Sequence, residues 1–306
     1  MAGPESSLVS SDSVQWELRF FLLGSFCFLS VVHAEKINEH GCGIAAPLGR
    51  IVNGEKISRY HVPWMVYIEI LYKLNETRRI RVKCGGSIIS PSFILTAAHC
   101  LKSKRRHPLR AIVYYNETRR RCGPRSLSDN IIPYPLFGER ANDIGLIKLQ
   151  SPIHFDSLVH SVCLPVRPLD PVGKSALVAG WGRTQEGGQS SQHLLYITSE
   201  VLPFESCKRT FNSTRRLKVL NSFNVMCTSS VSKDSCKGDS GGPLTVWEDG
   251  TRSVQVGIVS FGIGCARPKR PGVYTRVSTF VPWIEDQIAG EDEPHPPLGV
   301  KAKAGH

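Results

Sequence analysis

Apolar and β-branched residues recur along this chain in short runs, punctuated by Gly, Pro, Ser and Asn. That pattern predicts many short strands rather than long helices. Residues 62–71, Val-Pro-Trp-Met-Val-Tyr-Ile-Glu-Ile-Leu, read as one strand. A basic stretch follows at 75–81, within a connection from 71 to 83 that reads as a long loop. Cys84-Gly-Gly-Ser-Ile-Ile and Phe93-Ile-Leu-Thr then read as a hairpin turning at Ser90-Pro91-Ser92. Further strands are predicted after Asp143, from Ala176 to Gly182, and over 254–261 and 272–277. Residues 278–288 place Val281, Ile284 and Ile288 on one helical face, which predicts a C-terminal helix. The polar, Pro-bearing stretch 290–306 reads as a disordered tail.

The amino-terminal end has a different pattern. Residues 20–32 form an apolar run behind Arg19, too short to span a bilayer comfortably. The run suits the hydrophobic region of a secretory signal cleaved after Ala34, which assigns 1–34 to a signal peptide. Glu5, Asp12 and Glu17 precede it, an atypical feature that leaves a signal anchor as the alternative. Residues 35–50 are polar and end in Leu48-Gly49-Arg50, followed by Ile51-Val52-Asn53-Gly54. This junction reads equally as the start of a strand or as a processing site.

Composition supports that compartment. The chain has 306 residues, 41% of them hydrophobic, enough to fill a core. Its ten cysteines include no C-x-x-C pair, so disulfides in an oxidising compartment are expected and a zinc site is not. The net charge is +12 overall and +14 over residues 51–306. Much of it sits between Lys102 and Arg125, where Arg119-Arg120-Arg121 is the densest run. Residues 102–121, and 208–218 with Arg215, Arg216 and Lys218, are solvated basic loops or sites for heparin-like polyanions. No specific nucleic-acid partner is expected.

The stretch richest in chemistry runs Asp234-Ser-Cys-Lys-Gly238-Asp239-Ser240-Gly241-Gly242-Pro-Leu244. Glycines beside a hydroxyl nucleophile let the backbone approach a substrate and aim N–H groups at one point, as an oxyanion hole requires. A glycine-rich turn that happens to hold a serine is the alternative. Two other residues answer what a serine nucleophile needs. His99 follows a strand in Thr96-Ala-Ala-His-Cys100, and Asp143 opens a strand in Asn142-Asp-Ile-Gly-Leu. By itself each reads more simply as a structural His or a turn Asp.

Taken together and in this order, the three motifs resemble those of the chymotrypsin/trypsin family of secreted serine proteases, over residues 51–288. The resemblance implies an all-β fold of two packed six-stranded Greek-key barrels with a C-terminal helix. It makes 35–50 an activation propeptide and 51–289 the protease domain. It assigns His99 as general base, Asp143 as its orienter and Ser240 as nucleophile, with the amides of Gly238 and Ser240 as the oxyanion hole. Ser260 would sit beside Asp143 and pair, with its neighbours, to the substrate strand. The resemblance also turns Arg50 into a cleavage site. The freed Ile51 ammonium would pair with Asp239, so the intact chain reads as a zymogen.

Specificity is implied six residues before the nucleophile. Asp234 would form the pocket floor and select Arg or Lys, helped by Ser235, with Gly262 and Gly272 as open walls. Lys237 would stand at the pocket mouth and disfavour basic neighbours. The family pattern pairs Cys84–Cys100, Cys207–Cys227 and Cys236–Cys265, with Cys42–Cys163 tethering the propeptide. A further family bridge is absent at both ends, where Ala176 and Val246 stand, and Cys122 is left over. Near residues 111–122 Glu117 is the only acid, too few oxygen ligands for calcium, and no metal or other cofactor is expected. Pro271 stands where sodium-activated members carry Tyr, so sodium activation is not expected. Asn75, Asn116 and Asn212 begin glycosylation sequons. Implied partners are Arg- or Lys-bearing substrates, an activating trypsin-like protease and macromolecular inhibitors. A catalytically silent homologue acting as a binding or cofactor protein is the rival reading.

Overall fold

The computed structural model describes residues 35–39, 41–46, 55–75, 77–103, 106–138, 141–183, 187–211, 221–229, 239–248, 250, 252–261 and 271–290. All of them belong to the compact unit Ala34–His306. Its first strands are β1 (Glu55–Lys56), β2 (Met65–Lys73), β3 (Arg79–Ile88) and β4 (Phe93–Thr96). A one-turn helix α1 (Ala98–Leu101) precedes β5 (Pro108–Tyr114), β6 (Arg125–Ser128), β7 (Asn130–Pro133) and β8 (Gly145–Lys148). The second half holds β9 (Ser175–Gly180), β10 (Leu195–Leu202), helix α2 (Phe204–Phe211) and β11 (Val225–Thr228). It closes with β12 (Pro243–Glu248), β13 (Arg252–Phe261), β14 (Gly272–Arg276) and helix α3 (Val281–Ala289).

The strands form two antiparallel sheets. One runs β6-β5-β2-β3-β4-β8-β7. Strands β6 and β7 are one strand broken at Asp129: β6 pairs with β5 and β7 with β8, so the sheet curls round into a barrel. The Ser128 hydroxyl donates to Lys148 O at the break and fixes the kink. The other sheet runs β1-β10-β11-β14-β13-β12-β9, and β9 also pairs with β10, which closes it. The six-stranded expectation therefore holds, with one strand of the first barrel split and the short β1 added to the second.

Alternation decides the first barrel. Val66, Ile68, Ile70 and Tyr72 point inward from β2 and are fully or almost fully buried. Each buried aliphatic side chain contributes roughly 2 kcal/mol by leaving water. Gly86 makes room for them, since a Cβ there would lie 2.7 Å from Ile68 Cδ1. The strand begins at Met65 rather than Val62. A turn precedes it, with Val62 N donating to Arg59 O and Met65 N to Val62 O. The basic connection is also not the loop that the sequence indicated. Ile80 and Val82 pack inward between exposed Arg79, Arg81 and Lys83, so β2 and β3 continue as a long hairpin whose turn closes by Leu74 N to Arg78 O.

The predicted C-terminal helix is present. Val281, Ile284 and Ile288 are buried, and Pro282 sits in the first turn, where no intrahelical N–H is needed. Phe280 and Trp283 pack edge-on against Tyr134 of the first barrel. Helix α2 is an addition to the elements that the sequence pattern predicts. It carries Cys207, bridged to Cys227 on β11.

Residues 35–39 and 41–46 are strapped along the domain. Cys42 is bridged to Cys163, Asn38 both donates to Leu164 O and accepts from Leu164 N, and Gly43 sits between Ser161 and Ser253. A Cβ on Gly43 would strike Ser253 O at 2.4 Å. The Glu35 carboxylate accepts from Ser92 N on the β3–β4 turn.

The absent bridge has a simple packing account. Ala176 and Val246 are direct cross-strand partners, both buried, and fill the space with aliphatic carbon. Antiparallel partners lie about 4.5–5.5 Å apart at Cα, within disulfide range. The double variant Ala176→Cys/Val246→Cys is expected to oxidise spontaneously and gain about 2–4 kcal/mol of unfolding free energy over its reduced form. Urea unfolding with and without reductant measures the gain.

Candidate active site

The site is built where the barrels meet. Helix α1 lifts His99 out of the first barrel and is pinned to β3 by Cys84–Cys100, with 6.3 Å between their Cα atoms. Thr96 Oγ1 adds a buried hydrogen bond to Gly85 O. Asp143 precedes β8 and is buried. Its Oδ1 accepts from His99 N at 2.9 Å, and its Oδ2 lies 2.7 Å from His99 Nδ1. The Ser260 hydroxyl, from the second barrel, donates to the same Oδ2. An ionised carboxylate only accepts, so Nδ1 carries the proton and the Nε2 lone pair is left for another donor.

These contacts set the charges. Burial by itself would depress the basicity of His99, but its hydrogen bond to Asp143 and that carboxylate's charge outweigh burial and hold the pKa above 6.5. Burial would raise Asp143. The hydrogen bonds from His99 and Ser260, with the imidazole's charge, instead hold it below the usual carboxylate value. The result is an imidazole whose orientation and tautomer are fixed by a carboxylate that stays ionised.

Several contributors to this geometry carry no sequence signal. Asn142 adopts the left-handed region at φ +57, which puts Asp143 in a tight turn with Ile144 N bonded to Asn142 O. Its side chain donates to Leu136 O and accepts from Asn224 Nδ2, joining loops from both barrels. Thr275 Oγ1 donates to the Asp143 carbonyl at 2.8 Å. The second barrel therefore holds both ends of this aspartate.

Ser240 is fixed through its backbone. Its carbonyl accepts from Gly85 N at 2.8 Å and lies 3.8 Å from Cys100 Sγ, a disulfide sulfur with no proton to give. The serine thus rests against the bridge beside His99. Gly241 needs to be glycine: its φ is +83, and a Cβ would lie 2.2 Å from Thr96 Oγ1 and 2.6 Å from Gly85 O. Gly241 N donates to Val259 O, and Gly242 N to Asp239 O. Gly85 in turn lets two backbones meet, since its Cβ would lie 3.2 Å from Gly242 Cα.

The Asp239 carboxylate occupies a notch made by Gly180 and Gly182. Gly182 N donates to its Oδ1 at 2.8 Å, and a Cβ on either glycine would overlap it. Gly272 opens β14 beside Thr228, and Val273 pairs with Phe261, the residue after Ser260. Asp234, Ser235, Lys237, Gly238, Gly262, Arg50, Ile51, Asn212, Arg215, Arg216, Lys218 and the Cys236–Cys265 pair lie outside the described residues. So do the segments 1–34 and 291–306.

Among the described residues, one group has metal-ligand types close together: Cys84, His99 and Cys100. Its two sulfurs are spent on each other. Glu117 is buried and braces its own loop, with Oε2 accepting from Cys122 N and Gly123 N. Cys122 is an exposed free thiol. Of the described sequons, Asn75 is exposed at the hairpin tip, whereas Asn116 is half-buried at φ +52. Among the described residues no helix is long and apolar enough to cross a membrane.

The basic run 119–121 departs from the solvated loop that the sequence indicated. Arg121 is paired to the buried Glu69, and Arg120 lies over the Tyr67 ring, 5.7 Å from its centroid. The segment joins the second barrel through Leu194 N to Thr118 O, Arg120 N to Gln192 O and Trp181 Nε1 to Thr118 O. Two of the three arginines are thus structural.

Comparison with known proteins agrees with this architecture. The trypsin family model matches residues 51–284. Human transmembrane protease serine 5 is 34% identical over 256 residues, covering 80% of this chain and 53% of its own length. The clotting factor G beta subunit of Tachypleus tridentatus is 31% identical over 268 residues, covering 83% and 85%. Serine proteinase stubble of Drosophila melanogaster is 32% identical over 269 residues, covering 81% and 32%. The chain spans about half the length of transmembrane protease serine 5 and 40% of human serine protease 56. By the extent of the family match and these identities, the chain belongs to the trypsin family of serine proteases.

Proposed function

We propose that this protein is a secreted serine endopeptidase that cuts after Arg or Lys and is made as a zymogen activated by cleavage after Arg50. The observation that carries the catalytic reading is the Asp143–His99 pair, with Nδ1 bonded to the carboxylate and Ser240 held against the adjoining disulfide. His99 Nε2 takes the Ser240 hydroxyl proton as Oγ attacks the scissile carbonyl carbon. The developing oxyanion is received by the amides of Gly238 and Ser240. The imidazolium then gives its proton to the departing amine, leaving an acyl-enzyme. Water, activated by the same imidazole, hydrolyses it.

Arg/Lys selection rests on Asp234, six residues before Ser240, with glycine at 262 and 272 where side chains would narrow the pocket. Activation rests on Arg50-Ile51, whose freed Ile51 ammonium would pair with the Asp239 carboxylate. The Cys42–Cys163 bridge would keep the released segment attached. Secretion rests on the apolar run 20–32 and on three formed disulfides. Its partners are Arg- or Lys-bearing proteins, an activating trypsin-like protease and macromolecular inhibitors.

One experiment tests the reading. The purified chain is cut after Arg50 and offered a peptide library. Cleavage after Arg and Lys is expected, with none from an Arg50→Gln chain treated alike. Cleavage after apolar residues would refute the role of Asp234. Failure of Ser240 to react with an organophosphate would restore the silent-homologue reading.

A further inference from the structure

The outer face of the first barrel lies apart from the catalytic residues and is strongly basic. Strand register places Lys83, Glu69, Ile112 and Leu127 in one row across β3, β2, β5 and β6, and Arg81, Leu71 and Arg110 in the next. Arg79 and Lys73 lie beyond them, and Arg125 stands opposite Tyr114. Arg121 reaches onto the same face from its loop. Among the described residues, the face thus carries seven cations and two carboxylates, Glu69 and Asp129.

Its construction is specific. Glu69 is fully buried beneath Arg81 and Arg121 and bonds to both, so two guanidinium groups are held side by side, each about half exposed. Holding them in place lowers the ordering cost of binding an anion. Arg79, Arg81 and Lys83 alternate along one strand, so successive charges stand about 6.8 Å apart in a straight row. Among the described residues this face offers no cluster of large apolar anchors: Tyr67 and Tyr114 are buried, Leu71, Ile112 and Leu127 are half-buried, and the exposed Leu74 and Leu109 stand singly at the hairpin turn and the start of β5. Protein partners and membranes both need such anchors, and single-stranded nucleic acid needs exposed aromatic rings to stack on. A linear polymer recognised by charge alone needs neither, and guanidinium groups suit its forked oxyanions.

The geometry points to this face as a binding surface for a linear sulfated polysaccharide, running along β3 from Arg79 to Lys83. The row ends at Cys84, the residue bridged to the His99 helix. The polyanion site is therefore centred on β3, with Arg121 reaching it from the 119–121 run, where Arg120 serves the fold. Polysaccharide binding is measured without substrate and peptide cleavage is measured separately, so the two readings stand or fall independently.

The test uses the full chain and a heparin oligosaccharide of defined length, titrated at several salt concentrations. Arg79→Ala/Lys83→Ala removes two exposed cations that stand outside the core. It is expected to weaken binding at least about tenfold and to reduce the slope of log affinity against log salt by about two. Lys102→Ala/Arg119→Ala, of equal charge change but off this face, is expected to change affinity less than about twofold. Unchanged thermal unfolding shows that each variant is folded. Equal losses in both variants, or no binding by the unmodified chain, would overturn the inference. So would tighter binding to phosphatidylserine vesicles or to an oligothymidine, which would assign the face to membrane or nucleic acid.

Discussion

Asp143→Asn in the activated protein is expected to lower kcat by about 10⁴-fold near neutral pH, the magnitude that belongs to this family's own triad. The reason is visible in the hydrogen bonds. Asp143 Oδ2 accepts from His99 Nδ1 and from Ser260, and Oδ1 accepts from the His99 amide. An amide at this position turns one acceptor into a donor. It forces the neutral imidazole to protonate Nε2 instead, the atom that must take the serine proton. The pH profile separates this from simple loss of structure. Burial lowers the His99 pKa, and the bond to Asp143 and its charge raise it above 6.5. The proposed mechanism needs neutral His99, so the acid limb of kcat/KM in the unaltered enzyme is expected above pH 6.5. In the Asn variant burial alone remains, and the residual activity should titrate below 6.5.

Stability follows the same linkage. The raised His99 pKa contributes stability that is full below about 6.5 and lost as pH rises through the folded value. The depressed Asp143 pKa contributes stability present above about 3.9 and lost as pH falls through its folded value. Both are present near pH 5.5, so Asp143→Asn should lower Tm more at pH 5.5 than at pH 8.5. Equal losses at the two pH values would disprove the coupling.

Gly182→Ala is expected to cost about 10²- to 10³-fold in kcat/KM, the scale of losing an oxyanion donor, although residue 182 touches no substrate in this scheme. The added Cβ would sit 2.3 Å from Asp239 Oδ2 and 2.5 Å from its Cγ, far inside contact distance. It would also disturb the Gly182 amide that donates to Asp239 Oδ1. The carboxylate must leave its notch, and Asp239 lies between the two residues whose amides are proposed to hold the oxyanion. None of the hydrogen bonds of the Asp143–His99 pair involves this notch, so the acid limb should keep its midpoint while the plateau falls. Gly180→Ala should act alike, because its Cβ would meet Asp239 Oδ1 at 2.0 Å. A Gly182→Ala enzyme with full kcat would show that the notch has no part in forming the site.

Much of the architecture is legible in the chain itself. Residues 62–71 announce a strand through their β-branched and aromatic content, and Val281, Ile284 and Ile288 announce a helix through spacing. The site is legible as separate motifs, because the serine, glycine turn, histidine and aspartate of the proposed site each stand out within a few adjacent residues. Where local reading fails, the cause is competition between a local signal and a neighbour distant in sequence. Charge at Arg79, Arg81 and Lys83 marks a loop, but pairing with β2 makes it a strand. Charge at Arg120 and Arg121 marks a solvated loop, but Tyr67 and Glu69 on β2 claim both side chains.

By itself, then, the sequence determined which residue types could do chemistry and how the chain alternates between core and solvent. These properties depend on side-chain identity and on periods of two or 3.6 residues. Only the tertiary structure decided that Thr275 holds the Asp143 carbonyl from the opposite barrel, and that Asn142 clamps Asn224. It also decided that Gly180 and Gly182 leave a space shaped for Asp239. Those contacts join residues tens to more than a hundred positions apart. They are set by strand register and close packing between barrels, which no local pattern in the chain encodes.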